Sequence, residues 1–225
     1  MVIPNERKSS LLWIYRNPSS HGMGFVVGDK NKYVITCAHC VVGLQGAGVA
    51  IWQKPTSVKI KTLTNHLTEN KVGEMWITGY EPYLDYAVLS CAPLHNHSLK
   101  CSTWCKTKNT GEILSNLEGI PISKEFKPPK NIRFLTHKNV ELTATLARSP
   151  CQIWSPQVWV HYELEDQSQC VESGTSGTPV FDGNGDVWGF LNSSFERSPN
   201  ILVVNLKTVL PAWLLKEISP LMFSP

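Results

Sequence analysis

The sequence predicts an all-β protein of barrel or sandwich type, and three features point there. Short apolar runs recur along most of the 225-residue chain, separated by Gly, Pro, Asn and Asp turns. Asp182-Gly-Asn-Gly185 sits between two such runs and is a strong hairpin signal, because Gly and Asn tolerate the positive φ that a tight turn demands. Helical spacing is concentrated at the end of the chain. With 42% hydrophobic and 17% charged residues the chain can bury a sizeable core, and its length suits one two-lobed domain.

Taken in order, residues 24–28 and 33–36 read as a hairpin turned by the polar residues 29–32. Residues 49–52, 58–61 and 74–79 read as strands, and a further strand surrounds Tyr83-Leu-Asp85-Tyr-Ala-Val-Leu89. Residues 95–111 read as a connection. Beyond it, residues 132–135, 140–147, 158–164, 178–181, 187–192 and 201–204 supply a second set of strands. In residues 207–218, Val209, Leu210, Trp213 and Leu214 fall at helical spacing, which predicts one C-terminal helix with Pro211 in its first turns. That apolar stripe is expected to pack on the neighbouring strands.

Several function classes fall away on composition. The net charge of +3 is mild, and the densest basic stretch, residues 124–138, is interrupted by Pro128 and Pro129 with little aromatic interleaving. It reads as a solvated loop and hairpin, so no nucleic-acid partner is expected. No stretch approaches the roughly 18 apolar residues of a membrane span. The opening Met1-Val-Ile-Pro-Asn-Glu-Arg-Lys8 lacks a basic segment followed by an apolar core, so no secretory signal is expected and the protein is placed inside the cell, in the cytoplasm. Seven cysteines, an odd number, agree with reduced thiols.

The segment Gly174-Thr-Ser176-Gly-Thr-Pro179 sets a serine among glycines that can expose its hydroxyl. Upstream, Tyr33-Val-Ile-Thr-Cys-Ala-His39-Cys-Val-Val42 and Tyr83 to Leu89 add a histidine and an aspartate, giving the chain order His, Asp, Ser. A serine hydroxyl is a weak nucleophile and needs a base to take its proton as it attacks a carbonyl. His39 is the candidate base. Asp85, lying in an apolar run where an unpaired carboxylate is costly, is the candidate that fixes the histidine tautomer.

Thr36-Cys-Ala-His39-Cys40 resembles the T-A-A-H-C segment of trypsin/chymotrypsin-fold serine peptidases, and Asp85-Tyr-Ala-Val-Leu89 resembles their D-I-A-L-L segment. The resemblance extends over nearly the whole chain. It implies one peptidase domain over residues 1–225, built as two six-stranded antiparallel β-barrels (about 1–100 and about 110–205) with a short C-terminal helix. It also implies an oxyanion hole formed by the backbone N–H groups of Gly174 and Ser176. Cys170 would lie at the floor of the specificity pocket, with Asn192, Ser193 and Ser194 on its other wall. An uncharged, apolar P1 residue is the resulting expectation, with Glu196 close enough to add a negative charge.

Departures from the digestive trypsins also carry information. Thr175 stands where those enzymes have Asp, and no Ile-Val-Gly-Gly-like segment is present, so activation by the usual N-terminal ion pair is not expected. Gly174-Thr-Ser-Gly177 and the run from Asp182 to Asn192 look more like intracellular Deg/HtrA-type peptidases, without the companion PDZ domain. Cys40 corresponds to a cysteine that is commonly disulfide-bonded in the family, yet its partner is missing from residues 18–24. Control by an activating partner protein, by loop ordering or by self-cleavage is expected in place of zymogen cleavage.

Cys37, His39 and Cys40, and separately Cys91, Cys101 and Cys105, have spacings compatible with zinc. His39 has a catalytic use, however, and small buried cysteines are common in cores, so neither metal nor cofactor is required. His95-Asn96-His97 reads as a loop. The function expected is a serine endopeptidase acting on protein or peptide substrates. The alternatives are an inactive or latent peptidase-fold module that binds peptides or partner proteins, and a virus-like polyprotein-processing peptidase.

Overall fold

Two closed antiparallel barrels of six strands each make up the architecture. The computed structural model describes residues 2–17, 20–29, 31–41, 57–62, 72–81, 83–91, 108–147, 158–195 and 198–218. The first barrel contains β1 (Leu11–Asn17), β2 (Ser20–Val27), β3 (Tyr33–Thr36), β4 (Ser57–Thr62), β5 (Gly73–Glu81) and β6 (Tyr86–Ser90), in the spatial order β1-β2-β3-β6-β5-β4. The second contains β7 (Asn131–Leu135), β8 (Glu141–Leu146), β9 (Trp159–Leu164), β10 (Pro179–Phe181), β11 (Val187–Ser194) and β12 (Asn200–Asn205), ordered β10-β11-β12-β9-β8-β7. Closure leaves no long unpaired edge in either barrel.

Each barrel holds its own apolar core. Leu12, Ile14, Val34, Ile60 and Leu89 fill the first, and Phe134, Tyr162, Val180, Trp188 and Val203 fill the second. A third cluster is built from both barrels and binds them together: Met23, Phe25 and Ile35 meet Phe181, Phe190 and Leu206. That shared core matters for function, because it fixes residues of β2 and β3 against the loop that precedes β10.

The structure differs from the sequence-based expectations in four places. β1 was not anticipated: Leu11, Leu12, Trp13 and Ile14 are all buried, so the run lacks the in-out alternation that marks a half-buried strand. The connection carries a helix, α3 (Lys108–Ser115), following α1 (Asn5–Ser9) and α2 (Ala38–Val41). Its helical signal is weak because Thr110 and Gly111 are poor helix formers; burial of Ile113 and Leu114 in the first-barrel core supports it instead. Thr110 Oγ1 also accepts from Glu74 N at 2.7 Å and donates to Glu74 O at 2.9 Å, tying α3 to β5.

The C-terminal helix is two helices, α4 (Leu206–Val209) and α5 (Ala212–Ile218). Pro211 lacks an N–H and pushes Leu210 to ψ 141°, out of the helical region. Asn205 starts α4 by accepting from Lys207 N at 3.0 Å, a normal N-cap. The fourth difference concerns Asp85, which lies in the turn before β6 with φ 52° instead of within the strand. The proposed strand at 49–52 and the motifs at 95–97, 101 and 105 lie outside the described residues.

Candidate active site

His39 rides on α2, the single turn that follows β3, while Asp85 occupies the turn entering β6; β3 and β6 are hydrogen-bonded neighbours. Pairing of Thr36 with Ala87 therefore sets the two residues side by side. The carboxylate grips the histidine twice: Oδ1 accepts from the His39 backbone N–H at 2.9 Å, and Oδ2 accepts from ring Nδ1 at 2.6 Å. An Asp takes the left-handed backbone conformation more readily than most residues, which allows the turn to aim the carboxylate this way.

Burial by itself would lower the His39 pKa, but the hydrogen bond to Asp85, reinforced by contacts with Cys40, outweighs it and pushes the value up to about 10. The Asp85 carboxylate thus stabilises the imidazolium that forms once the neutral ring has removed a serine proton. Burial raises the Cys37 thiol; its hydrogen bond to Cys40, followed by that of His39, lowers the Cys40 thiol.

Ser176 comes from the second barrel and is fixed by its backbone. Its carbonyl accepts from Met23 N at 2.8 Å, across the barrel interface, and from Cys40 Sγ at 3.6 Å. The next residue, Gly177, donates to Leu191 O at 2.7 Å. Among the described residues no hydrogen bond joins the Ser176 hydroxyl to the His39 ring; in enzymes without substrate such bonds are often long and tighten on binding.

Gly174 has φ +95°, and a Cβ there would lie 2.5 Å from His21 Nε2. Among the described residues the N–H groups of Gly174 and Ser176 donate to no protein acceptor, which leaves both available to an incoming oxygen. Thr175, fully buried, is held by the β7–β8 turn: His137 Nδ1 lies 3.0 Å from Thr175 Oγ1. The same turn reaches the loop again through Lys138 and Glu172, whose charged groups are 2.6 Å apart. This polar clasp occupies the position where the sequence has no aspartate to offer.

Asn192, expected on the pocket wall, is 4% exposed, and its side-chain amide donates to Asp85 Oδ2. Its side chain is thereby committed to the carboxylate. Sequence reasoning missed this because the partners are 107 residues apart. Asn192→Ala is expected to slow reaction at Ser176 by about 10- to 100-fold, since a hydrogen bond to a charged group contributes roughly 1.5–3 kcal/mol. The labelling rate of Ser176 by an active-site-directed phosphonate measures this, and an unchanged rate would remove Asn192 from the machinery.

Ser193 and Ser194 close β11, both half-buried, and Ser194 Oγ donates to Val171 O at 3.0 Å. Cys170, expected at the pocket floor, is exposed and lines a cavity of about 190 Å³ with residues including Thr136, His137 and Glu172, none of them from β11. Glu196 lies outside the described residues. Cys37, Cys40 and Cys170 are free thiols. Gly22 explains the unpaired Cys40: a Cβ at that glycine would lie 2.3 Å from Cys40 Sγ, so the chain has a glycine where a partner side chain would stand.

A double-barrel fold that carries a serine in a Gly-rich loop and a carboxylate-held histidine is the arrangement of the trypsin-like peptidases. The sequence pattern of the trypsin-like peptidase domain matches residues 22–190, and the chain belongs to that family. No curated protein sequence is similar to it. Among solved structures it is similar to the active form of the Rv3671c protease from M. tuberculosis, with 18% identity and a TM-score of 0.59 over 96% of this chain and 83% of that one. Deg5 matches at 15% identity and TM-score 0.57, covering 95% and 91% of the two chains. The human pathogenic astrovirus serine protease matches at 18% identity and TM-score 0.53, covering 97% and 94%. At such identities these likenesses establish the fold, and Deg5 is in keeping with the Deg/HtrA-like segments of the sequence.

Proposed function

We propose that the protein is a serine endopeptidase that cleaves protein substrates through His39, Asp85 and Ser176. The observation that carries this reading is the double grip of Asp85 on His39, through ring and backbone together. Nδ1 is thereby committed as a donor, leaving Nε2 to accept the Ser176 proton. The Ser176 oxygen attacks the scissile carbonyl, and the negative charge on the resulting tetrahedral intermediate is met by the Gly174 and Ser176 N–H groups. Collapse returns the proton from His39 to the leaving amine and leaves an acyl-enzyme, which water hydrolyses by the same steps with water as the nucleophile.

Ser194 Oγ donates to Val171 O, next in the chain to Cys170, and so ties the end of β11 to the segment before Ser176. With Cys170 offering no charge, an uncharged, apolar P1 residue is the specificity proposed. Fluorophosphonate labelling of the purified protein tests the reaction without knowledge of the substrate. Wild type is expected to label, and both Ser176→Ala and His39→Ala to lose labelling. A folded wild type that stays unlabelled would contradict the proposal. Strong preference for Arg or Lys at P1 in a peptide library would overturn the uncharged-P1 reading.

A further inference from the structure

Two thiols flank the candidate base, and the catalytic reading makes no use of either. Cys37 follows β3 and Cys40 lies on α2, so the segment Cys37-Ala-His39-Cys40 turns both sulfurs toward the same imidazole. Cys37 Sγ, Cys40 Sγ and a His39 ring nitrogen all lie within 4.8 Å of one another. We propose that these three residues form a binding site for one thiophilic divalent cation, zinc in the first instance, whose occupancy switches the peptidase off. The off-switch rests on His39 being the catalytic base; the metal site does not.

The donor set is the kind that selects zinc over magnesium or calcium: two soft thiolates and one imidazole, with the two-residue spacing common at zinc sites. Zinc–sulfur bonds near 2.3 Å and zinc–nitrogen bonds near 2.0 Å place the ligands of one tetrahedral ion roughly 3.5–3.8 Å apart. Contraction from 4.8 Å or less to that spacing is a shift of at most about 1 Å between ligand atoms. The existing hydrogen bonds of the thiols, 3.3 Å to Leu191 O and 3.6 Å to Ser176 O, are weak S–H donations that coordination can replace as each thiol releases its proton.

Two further features keep the site available. Gly22 offers no thiol to bind Cys40 and no side chain to cover its sulfur. The His39 side chain is 31% exposed, which gives an ion a way in from the cleft even though both cysteines are buried. Three protein ligands leave a fourth position open to water. Whichever nitrogen the cation takes, the ring can no longer donate to Asp85 and accept from Ser176 together. The metal-bound form is therefore inactive, and it differs from a structural zinc site in that the fold does not depend on it.

The test is a titration of the reduced, folded protein with Co²⁺, read by thiolate-to-cobalt charge-transfer absorbance, followed by displacement with Zn²⁺. One equivalent is expected to bind, and Zn²⁺ is expected to block fluorophosphonate labelling until a chelator is added. Cys37→Ala and Cys40→Ala should each weaken binding at least 10-fold, whereas replacing Cys101, Cys105, Cys151 and Cys170 together by Ser should leave it unchanged. Ser176→Ala should still bind the metal. Absence of the charge-transfer band, or its persistence in both Cys37→Ala and Cys40→Ala, overturns the site. Metal bound without any loss of labelling overturns the switch. A wild type that binds Co²⁺ but never labels, with or without chelator, refutes the peptidase reading and leaves the metal site standing.

Discussion

Asp85→Asn is expected to lower kcat by about 10⁴-fold while leaving the protein folded, the size of effect known for loss of this carboxylate in a Ser-His-Asp triad. The side chain keeps its shape, but one carboxylate oxygen becomes an NH₂ group. At present Oδ1 accepts from the His39 backbone N–H, and Oδ2 accepts from both His39 Nδ1 and the Asn192 amide. An amide has one accepting oxygen, so it cannot serve all three donors. If its NH₂ faces the ring, Nδ1 must become the acceptor and Nε2 carries the proton. The ring can then no longer take a proton from Ser176. Steady-state kinetics on a cleaved peptide, with a thermal melt on the same sample, checks the claim. A loss below about tenfold would mean that Asp85 is not the orienting acid.

Gly177→Ala should be the most destabilising single-methyl change in the active-site loop. An added Cβ would lie 2.1 Å from Met23 O and 2.7 Å from Thr36 Oγ1, and the backbone there has φ +87°. The first obstacle is backbone of β2, which is anchored by Met23 N donating to Ser176 O at 2.8 Å, so it cannot move without pulling Ser176 with it. Steric overlap and a left-handed conformation together are expected to cost about 3–5 kcal/mol. For a chain of this size that corresponds to a fall in Tm of roughly 10 °C. Labelling at Ser176 should be lost along with stability. Gly183→Ala provides the control, because nothing lies within 4 Å of its Cβ position. A Tm within 2 °C of wild type for Gly177→Ala would show that the loop is softer than this packing implies.

The residues legible in the sequence are those whose chemistry admits few substitutes. A nucleophilic serine needs small neighbours and a base, so Ser176 among its glycines, His39 and Asp85 stand out as candidates from residue type and order alone, and the structure brings His39 and Asp85 into contact. Most strands could be named too, because barrels are built of short apolar segments punctuated by turn formers. β1 escaped because complete burial erased its alternation, and α3 escaped because burial against the first barrel supports it more than its own composition does.

What only the tertiary structure decided is the set of contacts between distant segments. Asn192 is an unremarkable polar residue at a strand end until β11 folds back and aims its amide at Asp85, 107 residues away in sequence. His137 has no motif around it, yet it holds the Thr175 hydroxyl where a trypsin would have an aspartate. Gly22 gains meaning only when its missing side chain is seen to face Cys40. By itself, then, the sequence determined the chemical parts and the β-rich class, since these follow from local pattern and from the reactivity of single side chains. How the parts are held and which thiols gather around the imidazole were decided by packing distant segments against each other. Contacts of that kind leave no periodic trace along the chain.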